Sequence, residues 1–489
     1  MFKKIIKQIK DNYYIYTLVV ICLIAFVLYF PSLKNFYTND DFFHLRISQI
    51  NSVKEFFNFF NLVKSPEGWG LYRPLTTQVF YFLTVKFFNL NPVPLHIISF
   101  LTFFAIIFLV AEFVKMITKN KSIAILAAFL YATSATHFGH LYFLGAYQEL
   151  GMTLFFLLSV ISFYKFELTN KTKYLIFSLF YFIFALTSKE TAVILPFIIV
   201  LVHLYLLIAK EKVKSLKEFI FSVLPFFVLL SLYLFMRLKY YGFAQGDSYV
   251  WDFSIKRALN TLVWYKLWSF NIPETLVDFV GPGLRLNPNL FKYWGSQFRI
   301  IFSLFAAQII ILFLSVFSKY KNILKNWRIY LFIAAWFVLT LIPVLFLPVH
   351  KFTYYLTLPL IGISVCISIL LINFKFKKTV YIFMMIWLCN SYISLKLTEN
   401  TNWITQGAKT SKNVYRYFEQ NNNKYINKDI YFYDTEEDKE LPFSPTSAVK
   451  LSVSDNNFFQ VYYPDITLVS DELNSNNIEK IRSRMFLGY

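Results

Sequence analysis

The sequence predicts an all-α polytopic membrane fold, and three observations predict it. The chain is 57% hydrophobic and 21% aromatic with 16% charged residues, and its mean hydropathy is +0.50. A water-soluble chain of 489 residues would carry more charge and far fewer than 59 Phe. Apolar stretches recur along it, about eleven of them approaching the 20 residues that cross a bilayer. Lys and Arg gather in alternate short connections, the asymmetry that orients membrane helices.

Taken in order, the expected spans lie near 13–31, 94–117, 121–137, 142–164, 173–188, 190–209, 217–237, 298–318, 328–348, 352–373 and 379–396. The dense basic clusters are the N-terminus (Lys3, Lys4, Lys7, Lys10), Lys115–Lys121, Lys165–Lys173, Lys210–Lys217, Lys319–Arg328 and Lys375–Lys378. A cytoplasmic N-terminus puts all of them on the cytoplasmic side, whereas turns such as 138–141 carry almost no positive charge. That accounts for the net charge of +20 without the nucleic-acid partner it would otherwise invite. The expected location is thus an integral, multi-pass membrane protein, in a bacterium the plasma (inner) membrane. The Lys-rich start runs into a long apolar stretch, and Phe30-Pro31-Ser32-Leu33 offers no small-x-small cleavage site, so an uncleaved anchor is expected. Cys22, Cys366 and Cys389 all fall in apolar spans with no CxxC spacing, which argues against a disulfide framework and structural zinc.

Three segments are expected on the outer side. The loop 32–93 holds an amphipathic, Phe-rich piece (Ser52–Val63), a Gly68-Trp69-Gly70 turn and a helix over Pro74–Phe88. Proline suits the first turn of that helix, and Thr76, Thr77, Gln78 and Lys86 interrupt any span, so it is expected along the interface. The loop 238–297 carries an aromatic-basic segment, Trp251–Phe270, and a Gly281-Pro282-Gly283 turn. Beyond residue 396 hydropathy drops. The tail 397–489 holds seven Lys and three Arg against thirteen Asp plus Glu, so it is mildly acidic. The expected domains are therefore a transmembrane domain, 1–396, and a small soluble extracytoplasmic α/β domain, 397–489. In the tail, Trp403–Gln420 reads as a helix, and Asp429–Tyr433, Phe458–Tyr463 and Ile466–Ser470 read as strands, with polar linkers near 421–428 and 471–479.

The residues able to carry chemistry cluster at the expected outer boundaries. In Phe36–Arg46 (FYTNDDFFHLR), Asp40 and Asp41 can bind a divalent cation, serve as general base, or cap a helix begun by Asn39 or Asp40; His44 is a turn away. Glu149 opens an apolar helix, where an acid faces a partner or a water-filled cavity, Lys189 being one such partner. His137 and His140 share a helical face. Lys189 and Glu190 lie in a tight Thr187-Ser188-Lys189-Glu190 link, which is either a solvated turn or a phosphate holder. Arg73, His350, Lys351, Tyr354 and Tyr355 complete the set. Acids and bases thus converge on one surface.

The succession DD, YRPLTT before an amphipathic helix, a His-rich turn with a later acid, SKE and HKFTYYLTLPLIG resembles the GT-C superfamily of polytopic glycosyltransferases, and within it the protein O-mannosyltransferase group. The resemblance spans roughly residues 10–375. It implies a polyprenyl-phosphate sugar donor and a protein, lipid or glycan acceptor, with Asp40 or Asp41 as catalytic base and Glu149 assisting. Arg73, Lys189 and the segment His350–Tyr355 would lie near the lipid phosphate, with His44, His137, His140 and Glu190 in support. The family's last motif carries an Arg before its Tyr pair where this chain has His350-Lys351, and no tetratricopeptide array follows. No cofactor is required by the resemblance; a divalent cation shared by Asp40 and Asp41 stays open. Two other readings remain at this point. A transporter or flippase would place polar groups near the bilayer midplane and show repeat symmetry. A polysaccharide ligase or polymerase would want several Arg in 238–297, which has Arg257 and Arg285.

Overall fold

The computed structural model describes residues 12–64, 66, 70–211, 214–242, 249–281, 285–372, 374, 377–470 and 477–488. The expected turns at Gly68-Trp69 and Pro282-Gly283, the N-terminal lysines and most of the 471–479 linker lie outside the described residues. Eight helices among those described are long and apolar enough to cross a membrane: Tyr13–Lys34, Val93–Thr118, Leu144–Thr169, Glu190–Ile208, Leu216–Tyr240, Asn289–Ser318, Trp327–Leu345 and Lys378–Thr401. A ninth is added if Lys121–Ala132 and Ala135–Tyr142, bent by 50°, count as one span.

The expectation of eleven spans is not confirmed: eight or nine helices qualify by length and composition. The expected spans 173–188 and 352–373 are apolar helices of 17 and 14 residues, Thr172–Ser188 and Pro359–Ile372, short of the roughly 20 a bilayer needs. Each is cut short where the chain leaves the helix to build a loop. Lys189 is extended (φ −160°, ψ 144°) after the first, and Thr353–Leu356 forms a separate 3₁₀ turn before the second.

Small residues let the central helices approach closely, as membrane packing requires in the absence of a hydrophobic drive between helices. Ser159 and Ser178 exchange hydroxyl-to-carbonyl hydrogen bonds of 2.8 Å across Tyr147–Thr169 and Thr172–Ser188. A Cβ on Gly151 would stand 2.3 Å from Thr76 Cγ2. The segment Pro74–Gln78 winds as a π-helical turn before the helix Val79–Phe87. Its polar residues are buried rather than interfacial: Thr76 donates to the Ser188 carbonyl (2.6 Å), and Gln148 donates to Thr77 Oγ1 (2.9 Å).

Basic connections gather at one end of the bundle. Lys119 pairs with Glu211, and Lys214 reaches Asn170 and lies over the Phe166 ring. A cavity of about 310 Å³ there is lined by Thr118, Ala209, Lys325 and Arg328. The acid helix Asp40–Ile47 and the tail sit at the other end.

The tail folds as the helix Trp403–Tyr425 against a three-stranded parallel sheet. Asp429–Tyr433 is central, with Thr467–Leu468 on one side and Ile478–Arg482 on the other. Ile430 and Phe432 alternate into the core with the period-two spacing of a strand. The expected strand Phe458–Tyr463 is instead a helix, Asn457–Tyr462. Phe458 and Phe459 are adjacent and both fully buried, which a strand with one buried face cannot achieve. Conversely, Ile478–Arg482 is a strand entered from the expected linker.

An aromatic core joins this tail to the first loop. Phe458 meets Phe42 edge-on at 5.3 Å, and Phe36 lies 5.4 Å from Tyr415. The tail therefore shares a side with the loop that follows the first span. That needs an odd number of crossings, met when the bent pair counts as one. Phe458→Ala should cost about 3–5 kcal/mol, read as a lower urea midpoint for proteolysis of the tail in the full-length, detergent-solubilised protein; an unchanged midpoint would contradict this packing.

Candidate active site

The two adjacent acids are given different surroundings. Asn39, at the start of the acid helix, has φ +49° and ψ −125°, and its side chain makes no capping bond. Asp41 does that work instead: Oδ2 accepts from the Thr38 amide at 2.8 Å, and Oδ1 accepts from the Tyr81 hydroxyl. Asp41 is 1% exposed, and burial pushes its carboxyl up to about 7 against the pull of those bonds. Asp40 is exposed, but onto the wall of a cavity of about 480 Å³ rather than open water. Protein crowding raises its pKa above the usual carboxylate range, with Arg73 pulling the other way.

The cations facing Asp40 are fixed from behind by carboxylates. Arg73 donates through Nε to Glu190 Oε2 at 2.7 Å and through Nη2 to Glu190 Oε1, a bidentate pair, while Nη1 donates to Gln148 Oε1. Lys189 makes an ion pair with Glu149 at 2.6 Å, both side chains almost wholly buried. Its ammonium lies 4.7 Å from the Tyr355 ring centroid and 5.4 Å from that of Tyr354. Gly139 permits this packing, since a Cβ there would stand 3.0 Å from Tyr354 Cδ1. His350 stacks on Tyr249 at 4.1 Å. Burial, with Lys189 and Arg73 nearby, drives the His350 pKa down to about 3; His44, buried beside Arg73, is likewise lowered to about 3.

Of the residues singled out in the sequence, Asp40, His44, Arg73, Lys189, His350, Tyr354 and Tyr355 line the cavity. Glu149 and Glu190 stand one layer back as counter-ions. His137 and His140 are buried elsewhere, bonded to each other at 3.0 Å, with His137 Nε2 on the Tyr131 carbonyl at 2.7 Å. Lys351 is not in the lining; its charge senses Asp278 and Arg257. Gln148, Tyr249 and Phe143 line the cavity without having stood out in the sequence. Gln148 sits directly before Glu149 and was legible as a neighbour, whereas Tyr249 is one aromatic among 34 Tyr. Among the described residues no three His, Cys, Asp or Glu side chains come together as a metal site. Asp41 accepts one protein hydrogen bond on each oxygen, which leaves Asp40 as the acid of the pair that borders the cavity.

A carboxylate and two buttressed cations thus share one cavity at the end of a bundle of apolar helices. Residues 73–236, about a third of the chain, match the family described as dolichyl-phosphate-mannose-protein mannosyltransferase. The matched segment contains Arg73, Gln148, Glu149, Lys189 and Glu190; the acid pair and the tail lie outside it. No curated protein matches the chain.

The tail grips the turn that aims Asp40. The Asn39 amide donates to the Ser452 carbonyl at 2.9 Å, the Ser411 hydroxyl to the Tyr37 carbonyl, and Arg46 Nε to Asn457 Oδ1 at 2.6 Å. A positive φ is unusual outside glycine, and these bonds hold Asn39 in it. Gly407 lets the tail come this near, because a Cβ there would stand 2.4 Å from Thr38 Oγ1. Gly407→Ala should push the tail off the Thr38–Asn39 turn, read as faster proteolysis of the tail in the full-length, detergent-solubilised protein; an unchanged rate would contradict this packing.

Proposed function

We propose that the protein transfers a sugar, mannose in keeping with the family match, from a polyprenyl-phosphate donor to a hydroxyl of an acceptor protein on the extracytoplasmic face, inverting the anomeric centre. The observation that supports this most is the sharing of one cavity by Asp40, Arg73 and Lys189. Asp40 takes the proton of the acceptor hydroxyl as its oxygen attacks the anomeric carbon. The bond from that carbon to the phosphate oxygen breaks, and polyprenyl phosphate leaves as an anion held by Arg73 and Lys189. A phosphate monoester is a competent leaving group, so a base and fixed positive charge suffice. General-base help is worth about 10²–10⁴-fold, and preorganised charge at the leaving group is commonly worth more.

The carboxylates behind the cations serve orientation rather than proton transfer. Glu190 and Gln148 fix the plane of the Arg73 guanidinium, and Glu149 holds Lys189 against the two tyrosine rings. The proposed orientation follows from the basic loops, which gather at the end remote from the cavity and would face the cytoplasm. A transporter would want its polar groups near mid-bundle; here they sit at one end, beside the folded tail.

In membranes supplied with labelled polyprenyl-phosphate mannose and acceptor, Asp40→Asn should lower transfer about 10²–10⁴-fold with donor binding retained. Asp41→Asn should mainly lower stability, since Thr38 and Tyr81 lose their ionisable acceptor. Full transfer by Asp40→Asn would remove the base assignment. The pH dependence carries a sign. Asp40 acts ionised and its pKa is raised, so kcat/KM should climb with pH through an acid limb above the ordinary Asp value of about 3.9. A limb at or below that value would contradict the crowded setting described for Asp40.

A further inference from the structure

A second cavity, of about 700 Å³, lies in the seam between the tail and the membrane bundle. Two contacts join it to the catalytic cavity. Asn39 borders the seam, and Asp40, the next residue, borders the catalytic cavity. Trp403 borders the seam and packs edge-on at 5.3 Å against Phe143, which borders the catalytic cavity. A molecule lying in the seam is therefore one residue away from the base.

The lining identifies what would lie there. The indole rings of Trp294 and Trp403 stand among side-chain amides (Asn39, Gln406), and exposed Asp278 and Lys409 put both signs of charge on the walls. Rings give contact area to side chains of an extended chain, and amides satisfy its backbone N–H and C=O groups. A lipid-headgroup surface would want a rim of like-signed basic residues; this rim is mixed, on a tail that is net acidic. We propose that the seam cleft binds the acceptor polypeptide on the residues flanking its reactive hydroxyl, so that the tail selects which hydroxyl reaches Asp40. This rests on the glycosyltransferase reading above and adds to it the place and the chemistry of acceptor choice.

The test uses the full-length protein in lipid nanodiscs, a short Ser/Thr-rich peptide as acceptor and radiolabelled polyprenyl-phosphate mannose as donor. Two perturbations avoid the catalytic residues. One is Trp403→Ala. The other is Leu451→Cys, 63% exposed on the cleft wall, made with Cys389→Ser and reacted after folding with a bulky polar maleimide. Both should raise the peptide KM about tenfold, the loss of one aromatic anchor's worth of binding, and leave donor retention unchanged. The peptide should also protect Leu451→Cys from the maleimide. Unchanged peptide KM in both, or a matching fall in donor retention, overturns the proposal. So does protection of Leu451→Cys by vesicles and not by peptide, which would assign the patch to the bilayer surface. If the unmodified protein retains no donor, the glycosyltransferase reading fails by itself, and the protection experiment still reads the cleft.

Discussion

Two cations buried at a helix-bundle end would be untenable alone, and the site depends on how they are compensated. Arg73 is matched by Glu190 and Lys189 by Glu149. Removing one partner from such a pair typically costs about 3–5 kcal/mol, because the survivor is left charged and dry. The four residues come from the first outer loop, from the start of Tyr147–Thr169 and from the link after Thr172–Ser188, so the pairs also set how these elements meet. The cations are then already fixed, buried and facing the cavity, as the proposed phosphate binding requires. Thr172–Ser188 ends where the extended Lys189 leaves the helix, and that exit carries Lys189 and Glu190 to their partners.

The acid pair shows a division of labour that identical neighbours can take only when the backbone separates them. Asp41 is spent on the Thr38 amide and the Tyr81 hydroxyl, and Asp40 is turned to the cavity. The left-handed conformation of Asn39 makes that separation, and it is kept by atoms of the tail more than 400 residues away in sequence, among them the Ser452 carbonyl and the Asn457 amide. A domain outside the family match thus bears directly on the aim of the proposed base.

Much of this was legible in the sequence where charge stood against an apolar background. Arg73, Lys189, Asp40 and His350 could be picked out because charged or polar groups are costly near a bilayer. The pairing of Glu149 with Lys189 was among the readings its depth allowed, whereas that of Arg73 with Glu190 was not visible in the sequence. Lys351 looked equivalent to its neighbour His350, and only the 3₁₀ turn at Thr353–Leu356 decides which of them faces the cavity. His137 and His140 drew notice by spacing, yet spacing could not say that they bond to one another. The helix at Asn457–Tyr462 was missed because an aromatic run suits either a strand or a helix by composition. Its burial on successive residues comes from the first loop, a partner distant in the chain. Two expected spans are helices of 17 and 14 residues, since hydropathy does not register where a loop must begin.

The proposed transfer requires both cations and the carboxylate to face one lipid phosphate. A cryo-EM structure of the protein in nanodiscs with bound polyprenyl phosphate measures this directly. The phosphate should lie within about 4 Å of both Arg73 and Lys189, an ion-pairing separation, in the cavity onto which Asp40 opens. A phosphate seated instead at the Lys325–Arg328 end of the bundle, with the Asp40 cavity empty, would contradict it.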